Sequence, residues 1–162
     1  MNNHIELPEL VRIAWEDTCR AFVPRERRAE RQLQELLVVK LAERHLTRLK
    51  IDYVLPSKKK IDVAVGEKAF VELELHLKAV RKRGWASDYN WEQIEKRHWK
   101  PSFERLDESR RIHPEASRYY GIYSYLPFDV SIKWWKKLKE MCDEHKTEFL
   151  CVCHNSSCSK CP

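Results

Sequence analysis

One alternating segment near the middle of the chain constrains the fold more than any other feature. Residues 61–78 read IDVAVGEKAFVELELHLK, two alternating runs around Gly66-Glu67-Lys68. Successive side chains of a strand point to opposite faces. The second run therefore predicts one apolar face, formed by Val71, Leu73, Leu75 and Leu77. The opposite face carries Glu72, Glu74, His76 and Lys78.

Acidic residues concentrate in this predicted hairpin although the chain as a whole is basic, with a formal net charge of +6. If the turn is a symmetric three-residue loop, Asp62 of the first strand lies opposite Glu72 of the second. Close carboxylates repel each other unless a positive group joins them, and a divalent cation with oxygen ligands is the usual solution. The hairpin therefore predicts a metal site, and with it a candidate active site.

The rest of the chain predicts an α/β domain around this hairpin. Apolar spacing and breaker residues indicate helices at 9–23, 25–45, 91–110 and 127–145, with Pro101 expected to kink or restart the third. Further strands are predicted at 49–55, 118–126 and 149–153. This order implies a mixed central sheet of about five strands flanked by helices on both faces. Residues 1–153 are predicted to form a single domain, followed by a cysteine-rich tail at 154–162.

The order of elements and the positions of the acids resemble those of one enzyme class. A helix with a glutamate, a hairpin with Asp62 on one strand and an acidic motif on the next, and helical crossovers are similar to the PD-(D/E)xK, or restriction-endonuclease-like, nuclease superfamily. The resemblance covers residues 25–153. By this resemblance Asp62 corresponds to the metal-binding aspartate and Glu72 to the first acid of the second motif. Glu74 stands where the family usually has lysine, an E-x-E variant. A register with Glu74 as the acid and His76 in the lysine position stays open.

The resemblance also implies roles for these residues. The family's helix glutamate corresponds to Glu35 or Glu30, and Glu35 is favoured because it lies beside the apolar stripe of its helix. Mg²⁺ (or Mn²⁺) held by Asp62 and Glu72 is implied, with phosphodiester hydrolysis as the reaction. Glu74 brings no positive charge, so it is expected to position or deprotonate the attacking water or to act as an additional metal ligand. Loss of activity is the alternative consequence.

Basic clusters on both sides of the hairpin predict contacts with a polyanion. For any single cluster, a solvated surface is the simpler explanation. The run of lysines that adjoins the Asp62 strand is the cluster most expected to contact phosphates. The residues predicted to bind nucleic acid are Lys58, Lys59, Lys60, Lys78, Arg81, Lys82 and Arg83.

The end of the chain is rich in cysteine. Cys151, Cys153, Cys158 and Cys161 have C-x-C and C-x2-C spacings that can surround a tetrahedral Zn²⁺ ion. The alternatives are buried strand cysteines followed by a loose tail, or disulfides, which a reducing cytosol disfavours. Zn²⁺ is therefore a second predicted cofactor.

The sequence thus predicts a metal-dependent endonuclease that hydrolyses DNA. Two alternatives are a catalytically degenerate nucleic-acid-binding protein on the same fold and a protein-interaction module with a zinc-binding tail. A homodimer is expected by analogy, because one site of this class cuts one strand. No apolar run reaches the roughly 18 residues of a membrane span, and no secretory signal is recognised, so a cytoplasmic location without membrane association is expected.

Overall fold

Helices cover both faces of a central β-sheet in this computed structural model, which describes residues 5–23, 28–76, 91–124 and 128–153. The helices are α1 (Leu7–Ala21), α2 (Ala29–Ala42), α3 (Trp91–Ile94), α4 (Lys100–Ile112) and α5 (Phe128–Glu144). A π-helical turn, Glu95–Trp99, joins α3 to α4. The strands are β1 (Leu49–Val54), β2 (Lys60–Val65), β3 (Ala69–His76), β4 (Ser117–Ser124) and β5 (Glu148–Cys153). The elements follow the predicted order, with ends that differ by a few residues.

The described strands form one mixed sheet in the order β1-β2-β3-β4-β5. The first three strands are antiparallel, whereas β4 is parallel to both β3 and β5. Tight turns reverse the chain between the first three strands, while a helical crossover returns it in the same direction before β4 and again before β5. The predicted mixed sheet with helices on both faces is confirmed.

Each face of the sheet has its own apolar core. On one face, α1 and α2 cover a cluster that includes Val63, Val71 and Leu73. On the other face, α4 and α5 cover a cluster that includes Phe70 and Ile122. The predicted apolar face of β3 is confirmed for the described side chains. Its acidic face does not line an open cleft throughout, because α4 packs over part of it.

A three-residue turn joins β2 to β3, as the sequence predicts. Val65 pairs with Ala69, and the Lys68 backbone N–H donates to the Val65 carbonyl (3.0 Å). Gly66 has a φ of +54°, in the left-handed region where a glycine pays no steric penalty. The paired register ends at Val63↔Val71, and the residues that follow it on the two strands are Asp62 and Glu72.

The regular alternation of β1 and β2 breaks at two facing aspartates. Asp52 and Asp62 lie between the paired residues Ile51↔Val63 and Tyr53↔Ile61. Asp52 has a φ of +56°, which rotates the strand about its axis at that point. In consequence Ile61 packs in the core beneath α4, whereas Val63, two residues later, packs in the core beneath α2. Simple alternation would put both on the same face, so the sequence does not predict this break.

The long helix before β4 is interrupted at the position where the sequence predicts it. Proline has no N–H to donate to the carbonyl four residues earlier, and its ring crowds that carbonyl. The widened π-helical turn ends immediately before α4, and Pro101 occupies the first turn of that helix. The predicted kink or restart at Pro101 is therefore confirmed.

Some predictions concern parts of the chain outside the described residues. Residues 154–162, the predicted cysteine-rich tail, are among them, as are residues 77–90 after the hairpin. Within the described ranges, no helix has the length and apolar character needed to cross a membrane.

Candidate functional site

Asp62 lies at the break in β2, and both of its carboxylate oxygens accept hydrogen bonds. Gln34 of α2 donates through Nε2 to Oδ1 (2.9 Å). The backbone N–H of Leu73 in β3 donates to Oδ2 (2.7 Å). The carboxylate therefore connects a helix with the neighbouring strand, which fixes its position. Burial raises the pKa of Asp62, although the Leu73 hydrogen bond opposes the shift.

Glu72 is fully buried beneath α4 and forms an ion pair with Arg105. Its side chain is 0% exposed, against 23% for the Arg105 side chain. Arg105 donates from Nε to Oε1 (2.7 Å) and from Nη2 to Oε2 (2.6 Å), a bidentate contact. The same Nη2 also donates to the Ser102 hydroxyl (3.0 Å). Burial raises the pKa of Glu72 to about 8, although the hydrogen bonds from Arg105 oppose the shift.

Glu74 lies on the same side of β3 as Glu72 and contacts β4. The phenol of Tyr120 donates to Glu74 Oε2 (2.6 Å), and Tyr120 itself is fully buried. Burial raises the pKa of Glu74 to about 7, and the negative charges of Glu30 and Asp62 add to the increase. A carboxylate with this pKa exchanges protons near neutral pH, as a general base must.

Helix α2 carries two candidate glutamates, and the structure brings Glu30 toward the other acids. The Glu35 side chain is 58% exposed and accepts a hydrogen bond from Arg31 (3.2 Å). Glu30 is also exposed, but partial desolvation and then repulsion from Asp62 raise the pKa of its carboxyl. Residues five apart lie roughly 140° apart around a helix, so the two glutamates point in different directions. Glu30 is therefore the glutamate of α2 that interacts with Asp62, and the expected role of Glu35 stays a prediction.

We call Glu30, Asp62, Glu72 and Glu74 the acidic cluster. All four pKa values are raised, with desolvation as the largest cause. Repulsion from Asp62 adds to the increase at Glu30, Glu72 and Glu74, because a nearby negative charge makes ionisation less favourable. The positive charge of Arg105 opposes these increases in part, because it lowers the pKa of Glu30, Asp62 and Glu72.

The donor chemistry of the acidic cluster fits a hard divalent cation. Carboxylate oxygens are the ligands that Mg²⁺ and Mn²⁺ prefer, and the raised pKa values indicate that a positive charge would be stabilised there. In the conformation described, both oxygens of Glu72 face Arg105 and both oxygens of Asp62 accept protein hydrogen bonds. Across the described ranges, no three His, Cys, Asp or Glu side chains are already grouped to hold a metal. Binding would therefore require Glu72 to exchange its partner.

Of the predicted phosphate-binding residues, three lie in the described part of the chain. Lys58, Lys59 and Lys60 are exposed at the β1–β2 turn and the start of β2. Lys59 forms an ion pair with Glu104 of α4 (3.2 Å). The remaining predictions fall outside the residues or side chains that the structure describes: His76, Lys78, Arg81, Lys82, Arg83, Cys151, Cys153, Cys158 and Cys161.

Among the described residues that contact the acidic cluster, Gln34, Arg105 and Tyr120 are absent from the sequence-based prediction. Gln34 had a detectable signal, because it is a polar residue directly beside the buried Leu33 of the α2 stripe, and it is only 5% exposed. Arg105 and Tyr120 had no comparable local signal. Their contacts depend on how α4 and β4 pack against β3, which residue spacing does not reveal.

Comparisons with protein-family models, with curated proteins and with solved structures find no significant match to this chain. The resemblance to the restriction-endonuclease-like class therefore depends on the motif residues and the order of elements. What is shown is an α/β fold with a five-stranded mixed sheet covered by helices.

Proposed function

We propose that the acidic cluster is the centre of a metal-dependent phosphodiester hydrolase that acts on nucleic acid, with DNA as the expected substrate. One observation carries the proposal: Asp62, Glu72 and Glu74 lie on the adjacent strands β2 and β3, and the protein holds each carboxylate by hydrogen bonds. Repulsion from Asp62 contributes to the raised pKa of Glu30 on α2 and of Glu74. Desolvating several neighbouring carboxylates costs free energy, and such groups therefore occur preferentially at functional sites. The protein maintains this arrangement with dedicated hydrogen bonds from Gln34, Leu73 and Tyr120.

The residues of the chain would divide the work as follows. Asp62 and Glu72 would hold Mg²⁺ or Mn²⁺. Glu30 would add a further negative charge that attracts the ion. When bound, the ion would neutralise charge on the phosphate and acidify water at the site. Glu74, whose pKa is about 7, would accept the proton of the attacking water. The Tyr120 hydroxyl would keep the Glu74 carboxylate oriented for that transfer.

The topology supports the same proposal without establishing it. An αβββαβ order, with the acids on the second and third strands and a parallel fourth strand, is the arrangement that the sequence resemblance implied. The net charge of +6 and the exposed Lys58–Lys60 run favour a polyanionic substrate. Fold alone does not determine activity, so the proposal depends on the coupled carboxylates.

Cleavage assays on single-stranded, duplex and branched DNA and on RNA test the proposal. We expect cleavage with Mg²⁺ or Mn²⁺, its abolition by EDTA, and its loss in Asp62→Asn, which keeps the size of the side chain. Glu30→Gln should lower the rate, whereas Glu35→Gln, changed at an exposed position of the same helix, should retain it. Cleavage that persists in EDTA or in Asp62→Asn would contradict the proposal.

A second candidate function is a catalytically degenerate nucleic-acid-binding protein. The Arg105–Glu72 contact favours it, because a bidentate guanidinium neutralises a carboxylate that the reaction would use for metal. This alternative predicts salt-sensitive nucleic-acid binding that does not depend on divalent ions and is not followed by cleavage. Equal binding by the wild type and Asp62→Asn, with no cleavage by either, would support it.

A further inference from the structure

Two features of the contact between Arg105 and Glu72 indicate that Arg105 can exchange Glu72 for another partner. Glu72 is fully buried, whereas 23% of the Arg105 side chain remains exposed. The guanidinium therefore lies at the boundary between the buried carboxylate and solvent. Ser102, one turn earlier on α4, accepts a hydrogen bond from Arg105 Nη2 (3.0 Å), so the arginine has a partner on its own helix besides Glu72.

Arg105 also supplies the positive charge that position 74 lacks. Glu74 stands where the class that this chain resembles usually has lysine, and a glutamate cannot offset charge on a phosphate. The positive charge of Arg105 reaches Asp62 and Glu30 as well as Glu72, since it lowers the pKa of each. A cation is thus present in the acidic cluster, although it comes from α4 and not from β3.

The guanidinium and a divalent ion would compete for the same oxygens. Arg105 contacts both oxygens of Glu72, and two cations at one carboxylate repel each other. A metal ion that binds Glu72 would therefore displace Arg105. The released guanidinium has a planar fork of donors that matches a phosphate as well as a carboxylate.

We propose that Arg105 exchanges partners during the reaction: it pairs with Glu72 in the metal-free protein and binds the substrate phosphate when metal occupies the acidic cluster. This inference rests on the proposed function and assigns to α4 the positive charge that β3 does not provide. Without metal, the arginine stabilises a buried carboxylate. With metal and substrate, it becomes a catalytic residue.

Metal binding in the absence of nucleic acid tests the first half of the exchange. Mn²⁺ titrations followed by calorimetry compare the wild type, Arg105→Met, Arg105→Lys and Arg111→Met, a control that removes an exposed arginine of the same helix. We expect Mn²⁺ to bind about tenfold more tightly to Arg105→Met, because the cation that repels the metal ion at Glu72 is gone. Arg111→Met should bind Mn²⁺ like the wild type. Unchanged or weaker binding by Arg105→Met would overturn the exchange.

Cleavage at saturating Mn²⁺ tests the second half. We expect the rate of Arg105→Met to fall by about 100-fold or more, the usual effect of removing a charged donor from a reacting phosphate. Arg105→Lys should lose less, since it keeps the charge without the fork. If Arg105→Met does not fold, Arg105→Lys decides. Lysine cannot make the bidentate contact with Glu72, so we expect a smaller gain in Mn²⁺ affinity together with slower cleavage, and wild-type values for both would overturn the proposal.

The outcomes separate this inference from the proposed function. A wild type that shows no metal-dependent cleavage contradicts the proposed function, and the role of Arg105 fails with it. A wild type that cleaves, together with an Arg105→Met variant that cleaves at the same rate, contradicts the role of Arg105 alone. A purely structural role for Arg105 would lower the melting temperature of Arg105→Met without tightening Mn²⁺ binding.

Discussion

At the scale of single residues, burial determines what the acids of this protein can do. Glu74 would be an ordinary ionised carboxylate at the surface, but here its pKa rises to about 7 because it is desolvated beside Glu30 and Asp62. The Tyr120 hydrogen bond lowers the pKa of Glu74 and so limits the shift. Glu74 is therefore able to exchange a proton close to neutral pH.

The raised pKa of Glu74 predicts that stability falls as pH rises. The ordinary pKa of a glutamate, 4.5, applies in the unfolded chain, whereas the folded value is about 7. Between these pH values the folded state holds a proton on Glu74 that the unfolded state has released. The contribution of Glu74 to the free energy of unfolding is therefore complete below about pH 4.5 and is lost as the pH approaches 7. We expect Glu74→Gln to reduce the fall in unfolding free energy from about pH 5 to about pH 8 by roughly 1 to 3 kcal/mol.

Urea unfolding across this pH range measures the effect. Glu35→Gln is the matched control, because the Glu35 side chain is 58% exposed, and it should follow the wild-type profile. The pKa values of Asp62 and Glu72 are raised as well. These two residues should therefore keep part of the pH dependence of the unfolding free energy in Glu74→Gln. An identical pH profile for Glu74→Gln and the wild type would contradict the raised pKa.

At the scale of secondary-structure elements, the break in β1 and β2 creates the site. Asp52 adopts a φ of +56°, a conformation that aspartate tolerates better than most residues, and it accepts a hydrogen bond from Arg31 (3.0 Å). The opposing Asp62 then reaches Gln34 on α2 and Leu73 on β3. An uninterrupted strand pair would leave Asp62 on one face of the sheet.

Substitutions at Asp52 test whether the backbone conformation matters more than the charge. We expect Asp52→Val to lower the unfolding free energy by about 2 kcal/mol or more, because a β-branched side chain is strongly disfavoured at positive φ. Asp52→Asn removes the exposed ion pair but tolerates the same backbone, so it should cost less than about 1 kcal/mol. Urea unfolding distinguishes these variants, and equal destabilisation of the two would show that the charge matters instead.

The close packing of α1 on β4 leads to a second prediction about secondary-structure elements. A methyl group at Gly121 would approach Leu73 Cδ2 and two ring atoms of Trp15 to 3.1 Å. We expect Gly121→Ala to destabilise the fold by about 1 to 3 kcal/mol, because neighbouring buried groups must shift. In a Trp15→Leu background the cost of Gly121→Ala should shrink, since the crowding ring is absent. Additive effects in this double-mutant cycle would exclude direct crowding.

At the scale of the whole molecule, net charge favours association with a polyanion. The chain carries a formal charge of +6, and within its acidic cluster Glu72 is buried and Asp62 and Glu74 are half-buried. Lys58, Lys59 and Lys60 are exposed beside the strand that carries Asp62. The exposed lysines and the proposed site therefore lie close to each other along the chain.

The salt dependence of nucleic-acid binding tests this arrangement. If the three lysines neutralise phosphates, replacing all three with alanine should reduce the slope of log affinity against log salt by roughly 2 to 3. Replacing Arg12 and Arg20 together, both exposed on α1, should change it little. Filter binding over a series of salt concentrations gives the slopes. A larger effect from the α1 pair would place the nucleic acid on the opposite side of the sheet.

The sequence by itself determined the order of elements, the three-residue turn at Gly66 and the interruption at Pro101. These depend on periodicity, on the conformational freedom of glycine and on the missing N–H of proline, all of which act over a few residues. It also singled out Asp62, Glu72 and Glu74, because acids on a strand inside a basic chain stand out locally. Their proposed metal-binding and catalytic roles stay predictions.

Only the tertiary structure decided what those acids contact. The Arg105–Glu72 pair joins residues 33 positions apart, and the Tyr120–Glu74 contact joins residues 46 apart. Docking of α4 and β4 brings these partners together, and no local spacing encodes that docking. The interaction of Glu30 with Asp62 likewise depends on how α2 is rotated about its axis against the sheet. The sequence of the β2–β3 hairpin thus specified the acids, whereas the packing of α4 on the sheet placed Arg105 beside Glu72.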